Sequence, residues 1–213
     1  MSGPVRQLGG ALAGEHIARL RDKDTPPAAF RTAAGALSTL VLADALADLE
    51  GARSSVETPL ETTDALRPAR RVTLVPVLRA GLALMEPALR LLPGDTRVGF
   101  LGMARDEHTL QPTFYLERLP SDIGDDDVVV LDVMLATGGS AVAALDAVVA
   151  AGAPIARVRF ACLIAAPEGV ARIHEAHPTV PITAGVVDRE LNGNGFITPG
   201  LGDAGDRLYG ATE

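Results

Sequence analysis

From residue 72 onward the chain alternates short apolar runs with longer amphipathic stretches. Apolar runs at 72–78, 97–103, 128–131, 158–165 and 182–187 predict strands. Two helical stretches stand among them: 82–92, closed by Pro93 and Gly94, and 141–151, which ends at Gly152 before Pro154. In the second, Val142, Leu145, Val148 and Val149 are expected on the core face. The run at 128–131, VVVL, has no polar alternation, which places it at the centre of a parallel sheet, buried on both faces. Strands alternating with helices imply an α/β fold: an open, mainly parallel twisted sheet flanked by helices, with ligands bound beyond the carboxyl ends of the strands. Arg79, Asp132 and Asp188 are predicted at such ends.

The first 70 residues read differently. Residues 11–50 are helical in pattern, and Thr25, Pro26 and Pro27 mark a helix start with Thr25 as N-cap. Phe30, Leu37, Leu40, Val41 and Leu46 fall on one face of that helix, which is expected to run to about residue 49 with Gly51 as its terminator. His16 is expected to pack rather than react. The stretch 54–69 has strand-and-turn composition and is expected to carry the chain over the edge of the domain. Residues 104–120 lack a helical period. There Thr113, Tyr115 and Glu117 alternate with Phe114, Leu116 and Arg118, which predicts a protruding β-hairpin flap with its tip at 106–112.

Length and charge narrow the class. The 213 residues are read as a single domain, 1–213, with an N-terminal helical segment and lead-in at 1–70, an α/β core at 71–190 and a C-terminal segment at 191–213. A formal net charge of −8 argues against a nucleic-acid polymer or an anionic membrane as the main partner, so an anionic ligand has to be met by local groups. The one cysteine, Cys162, sits in the apolar run RFACLIAA and is read as a core thiol. No apolar stretch approaches the length of a membrane span, and MSGPVRQLGG lacks a signal-peptide core, so a cytoplasmic protein is expected.

Candidate chemistry concentrates in two places. After the strand at 128–131 comes Asp132, then Thr137, Gly138, Gly139 and Ser140 ahead of a helix, where successive amides and the helix dipole favour a phosphate. An ordinary βα turn with Ser140 as N-cap is the weaker alternative. The C-terminal run GFITPGLGDAGDRLYG contains a formal GxGxxG at Gly200, Gly202 and Gly205. Too little chain follows for a dinucleotide-binding unit, so that reading is rejected. Gly195, Gly200, Gly202, Gly205 and Pro199 instead make an irregular loop that can approach a flat ligand, and Asp203 and Asp206 can bind a ribose hydroxyl or hydrated Mg²⁺. A merely tight C-terminal loop is an equal alternative. Arg105, where strand meets flap, reaches an anion or is simply solvated, and His108 is read as an exposed tip residue.

These motifs carry a resemblance over nearly the whole chain. LRDKDTPPAAFR at 20–31, VLRAG at 77–81, RDEHTLQP at 105–112, YLERLP at 115–120, DVMLATGGS at 132–140, AAPEGV at 165–170 and LNGNGFITPGLGDAGDR at 191–207 resemble the uracil phosphoribosyltransferase family in order and spacing. The resemblance implies a type I phosphoribosyltransferase-like fold and transfer of a phosphoribosyl group from 5-phosphoribosyl 1-diphosphate to uracil, in pyrimidine salvage. Mg²⁺ would be carried by the donor's diphosphate, with no direct protein ligand and Asp203 reaching it through water. It implies that Asp132 contacts the ribose hydroxyls and that Val133, Met134, Leu135, Ala136, Thr137, Gly138, Gly139 and Ser140 hold the 5-phosphate. Arg79, in a loop with a cis peptide before the alanine, would face the diphosphate with Arg105. Ile197, Gly202 and Ala204 would read the uracil edge through backbone groups, and Asp203 would face the donor ribose. Homo-oligomers of two or four copies and a GTP effector also come with the family. The chain departs from the family at Val133, usually proline, at Ala104, often aromatic, at Phe196, usually tyrosine, and in the tail YGATE. A non-catalytic nucleotide sensor is the rival reading.

Overall fold

A computed structural model of the chain describes residues 3–105 and 112–210. In chain order it contains β1 (Val5–Gln7), α1 (Ala11–Arg21), α2 (Pro27–Ala45), β2 (Gly51–Glu57), β3 (Thr62–Pro68), β4 (Val72–Leu78), α3 (Leu82–Leu91), β5 (Arg97–Val98), β6 (Phe100–Arg105), β7 (Pro112–Arg118), β8 (Asp127–Leu135), α4 (Gly139–Ala150), β9 (Val158–Ala165), α5 (Pro167–Ala176), β10 (Ile182–Val187), β11 (Glu190–Leu191), β12 (Ile197–Thr198) and α6 (Ala204–Tyr209).

The main sheet has the order β1-β10-β9-β8-β4-β6-β7, with β5 also on β4. All its pairs are parallel except β6 with β7. The apolar run at 128–131 lies in β8 between β9 and β4, with Val130 opposite both Phe160 and Val75. Its alternate residues feed two cores. Val129, Leu131 and Val133 join Phe30, Leu37 and Val41 in one layer, while Val128 and Val130 join Leu145, Val148 and Phe160 in the other. Burial on both faces explains why this strand shows no polar alternation.

Several predicted boundaries move. The first long helix starts as expected, but Pro26 is its N-cap; the Thr25 hydroxyl instead donates to Arg19 O at 2.7 Å, closing the end of α1. It stops at Ala45, and Gly51 opens β2 rather than ending the helix. The stretch 54–69 belongs to an antiparallel hairpin of β2 and β3, separate from the main sheet. In α4 the buried residues are Ala141, Ala144, Leu145, Ala147 and Val148, and Val149 is exposed, because the small alanines rather than Val149 face the sheet. Residues β1 and α5 contribute were not foreseen: a three-residue edge strand carries little pattern, and Pro167 at the first turn was the available helix signal.

The flap prediction holds as a hairpin, with Ala104 opposite Thr113 and Arg105 opposite Pro112. Thr113, Tyr115 and Glu117 are exposed while Phe114 and Leu116 are half-buried, as a two-sided ribbon requires. Of the tip expected at 106–112, residues 106–111 with His108 lie outside the described residues, and Pro112 opens β7. Cys162 is fully buried, and burial pushes its thiol far up, so it is inert packing as expected. Among the described residues no helix is long and apolar enough to cross a membrane.

Candidate active site

The site grows from the end of β8. The strand continues three residues past Asp132, to Leu135, so the acid sits within the strand rather than after it. Val133 and Leu135 keep the strand going: they are 0% and 1% exposed, and the ladder to β9 persists through Leu135 opposite Ala165. Val133 and Leu135 therefore have only backbone groups to offer a ligand. The turn proper is Ala136 and Thr137, followed by Gly138 as the cap of α4 with φ 77°. A left-handed conformation there favours glycine. Ser140 is thus the second residue of the helix, not its N-cap, and it is exposed. Asp132, Met134 and residues 135–141 line a small cleft of about 110 Å³, onto which the unpaired amides of the first turn open.

Asp132 is half-buried at the floor of this cleft. Burial pushes its carboxyl up to about 7, against the opposing pull of the Val133 and Met134 amides; Val133 N–H donates to its Oδ1 at 2.7 Å. The loop is held from behind by α5. A Cβ on Gly169 would lie 2.4 Å from Ala136 O, so only glycine lets the helix seat against the loop backbone. Glu168 accepts Leu191 N–H at 2.9 Å and ties the same helix to the C-terminal segment.

That segment makes a short β11–β12 hairpin, a cis Thr198–Pro199 bond and the loop leading to α6. Gly195, Gly200 and Gly202 have φ values of 80°, 65° and 78°. The segment is clamped from several sides, and Asp188, expected at a ligand-binding strand end, is part of the clamp. Asp188, buried after β10, accepts from Arg21 at 2.5 and 3.0 Å and from Gly200 N–H at 2.8 Å. Arg207 lies 4.4 Å over the Phe30 ring and donates to Leu201 O at 2.8 Å, to Asp22 O at 2.6 Å and to Leu20 O. Arg31 donates to Leu208 O at 2.8 Å. The motif at 20–31 is thus a bracket for the C-terminal loop, and its complementarity to residues 188–208 is a tertiary fact with no local signature.

Asp203 is exposed and caps α6, accepting Asp206 N–H at 3.0 Å. The side chains of Ile197 and Ala204 are buried, 8% and 0% exposed, and Gly202 has none, so these three positions have only backbone groups to offer a ligand. Gly195 brings the two loops together: a Cβ there would touch Thr137 Cγ2 at 3.8 Å. The formal GxGxxG leads only into the six-residue α6, in keeping with its rejection as a dinucleotide fingerprint. Arg79 is exposed in the β4–α3 loop, and the cis bond there is Leu78–Arg79, one residue earlier than the resemblance implied. Tyr209 OH donates to Arg79 O at 3.4 Å. Arg105 ends β6, on the far side of β4 from β8.

Among the described residues no three His, Cys, Asp or Glu side chains converge as metal ligands. Asp203, the exposed carboxylate of the C-terminal loop, uses its Oδ1 as the cap of α6.

Comparison with known proteins agrees with this geometry. A family model described as uracil phosphoribosyltransferase matches residues 10–211. A uracil phosphoribosyltransferase of Salinibacter ruber is 46% identical over 202 residues, covering 95% of each chain. A solved structure from Aquifex aeolicus superposes with a TM-score of 0.90 at 37% identity, covering 98% of this chain and 99% of that one. A hypoxanthine-guanine phosphoribosyltransferase of Bacillus anthracis, 13% identical, shares the fold at a TM-score of 0.51 over 76% of this chain and 80% of its own. With the family match spanning residues 10–211, the 136–140 loop and the clamped C-terminal loop alike, the chain belongs to the uracil phosphoribosyltransferase family.

Proposed function

We propose that the chain transfers the phosphoribosyl group of 5-phosphoribosyl 1-diphosphate to N1 of uracil, releasing UMP and diphosphate. The observation that carries this reading is the meeting of the amide-rich loop 136–140 with the C-terminal loop at Thr137 and Gly195. One loop suits a sugar phosphate and the other a flat base with polar edges. In this reading the first turn of α4 holds the 5-phosphate and Asp132 accepts from the ribose hydroxyls. The backbone at Ile197, Gly202 and Ala204 pairs with the uracil edge. Arg79 and Arg105 face the diphosphate.

As the anomeric C–O bond breaks, positive charge develops on the ribose and negative charge on the leaving group, as in glycoside chemistry. An ionised Asp132 beside the ribose favours the first, and the arginines favour the second. Bound Mg²⁺ would add charge neutralisation at the diphosphate. Holding uracil N1 against the anomeric carbon supplies orientation. No side chain is assigned as the base that takes the N1 proton.

The test is formation of labelled UMP from uracil and donor with Mg²⁺; no product at high enzyme concentration would overturn the reading, and donor binding without turnover would favour a sensor. Cytoplasmic location, assembly into two or four copies and activation by GTP are further parts of the proposal. Sedimentation tests the assembly, and turnover with and without GTP tests the activation.

A further inference from the structure

Gly169 and Arg172 lie three residues apart on α5 and so share a face, the face that seats against the phosphate loop. The Arg172 Cβ lies 3.0 Å from the Cβ position of Gly138, the cap of α4. Its Nη1 and Cζ lie 3.8 and 3.9 Å from the Cβ position of Gly139, a point that is also 3.9 Å from Thr137 Oγ1. The aliphatic stem therefore crosses the cap, and the guanidinium ends beside Gly139, the first residue of the helix.

Among the described residues the Arg172 guanidinium has no hydrogen bond or ion pair, whereas Arg21 is bound to Asp188 and Arg207 and Arg31 to backbone carbonyls. The loop it overhangs is built from neutral amides and hydroxyls, on a chain of formal net charge −8. A phosphate dianion placed there gains from the amides and the helix dipole, and a standing charge beside it adds a long-range attraction.

We propose that Arg172 is a binding residue for the donor's 5-phosphate, supplying the standing positive charge that the 137–140 loop lacks. This rests on the phosphoribosyltransfer reading, and it concerns donor affinity rather than the bond-breaking step. Arg172→Ala, on an exposed helix position, should raise the donor KM about three- to tenfold at low ionic strength, the range of one partly screened charge on a dianion. The uracil KM and kcat should stay within about twofold, Arg172→Lys should restore most of the loss, and Arg19→Ala on exposed α1 should leave all three constants unchanged. Added salt should bring wild type and Arg172→Ala together, since screening at about 0.1 M acts within about 10 Å. An unchanged donor KM in Arg172→Ala, or a loss that Lys does not repair, would overturn the proposal. If the wild-type chain makes no UMP, calorimetry with ribose 5-phosphate separates the two questions: wild-type binding weakened in Arg172→Ala supports the residue's role on its own, and equal binding or none removes it.

Discussion

Replacing Asp132 with Asn isolates what its carboxylate does for function and what it costs the fold. Burial lifts the group from 3.8 to about 7. Between those values the unfolded chain has lost the proton while the folded chain still holds it, so stability falls as pH rises through that window and is level above it. About three units at about 1.4 kcal/mol each set an upper figure of about 4 kcal/mol, reduced in practice because water reaches a half-buried group. Asn keeps an acceptor for the Val133 N–H, now 2.7 Å from Oδ1, and does not titrate. Asp132→Asn should therefore match wild type near pH 4 and become progressively more stable up to pH 7, with a melting temperature higher by about 2–4 °C per kcal/mol. Its turnover should nevertheless collapse, because a neutral amide does not stabilise the developing charge on the ribose. In wild type, kcat/KM for the donor should rise through about pH 7 as the acid ionises. Denaturant or thermal unfolding across pH 4–8, paired with the UMP assay, reads both effects. A stability difference that does not grow with pH, or wild-type turnover in the variant, would refute the reasoning.

Three further outcomes follow from the same geometry. Gly169→Ala sets a methyl 2.4 Å from Ala136 O, so the phosphate loop must shift; the donor KM should rise and stability should fall by about 1–3 kcal/mol, read by kinetics and urea unfolding. Arg21→Ala leaves the buried Asp188 with Gly200 N–H as its remaining partner among the described residues, and should cost about 3 kcal/mol and raise the uracil KM more than the donor KM. Chelation of divalent cations should abolish UMP formation, and Mg²⁺ should restore it; turnover that survives EDTA would remove Mg²⁺ from the reading.

The α/β character was legible because buried parallel strands announce themselves as bare apolar runs: those at 158–165 and 182–187 match β9 and β10 to the residue. Asp132 misled on one point. A polar residue after four apolar ones reads as a strand end, yet backbone pairing to β9 and the burial of Val133 and Leu135 carry the strand past it. Ser140, expected just ahead of the helix, lies within its first turn, because Gly138 in the left-handed region is the cap.

By itself, then, the sequence determined the strand-loop-helix order across 128–151, the glycine loop at 195–205 and the order of the motifs, because each depends on residues close together in the chain. Only the tertiary structure decided how they are assembled. Arg21 reaching Asp188, Arg207 lying over Phe30, Gly169 seated on Ala136 and Gly195 beside Thr137 all join segments distant in sequence. Such contacts leave no periodic trace, since a guanidinium committed to a carbonyl across the molecule and one exposed at the surface are written with the same letter.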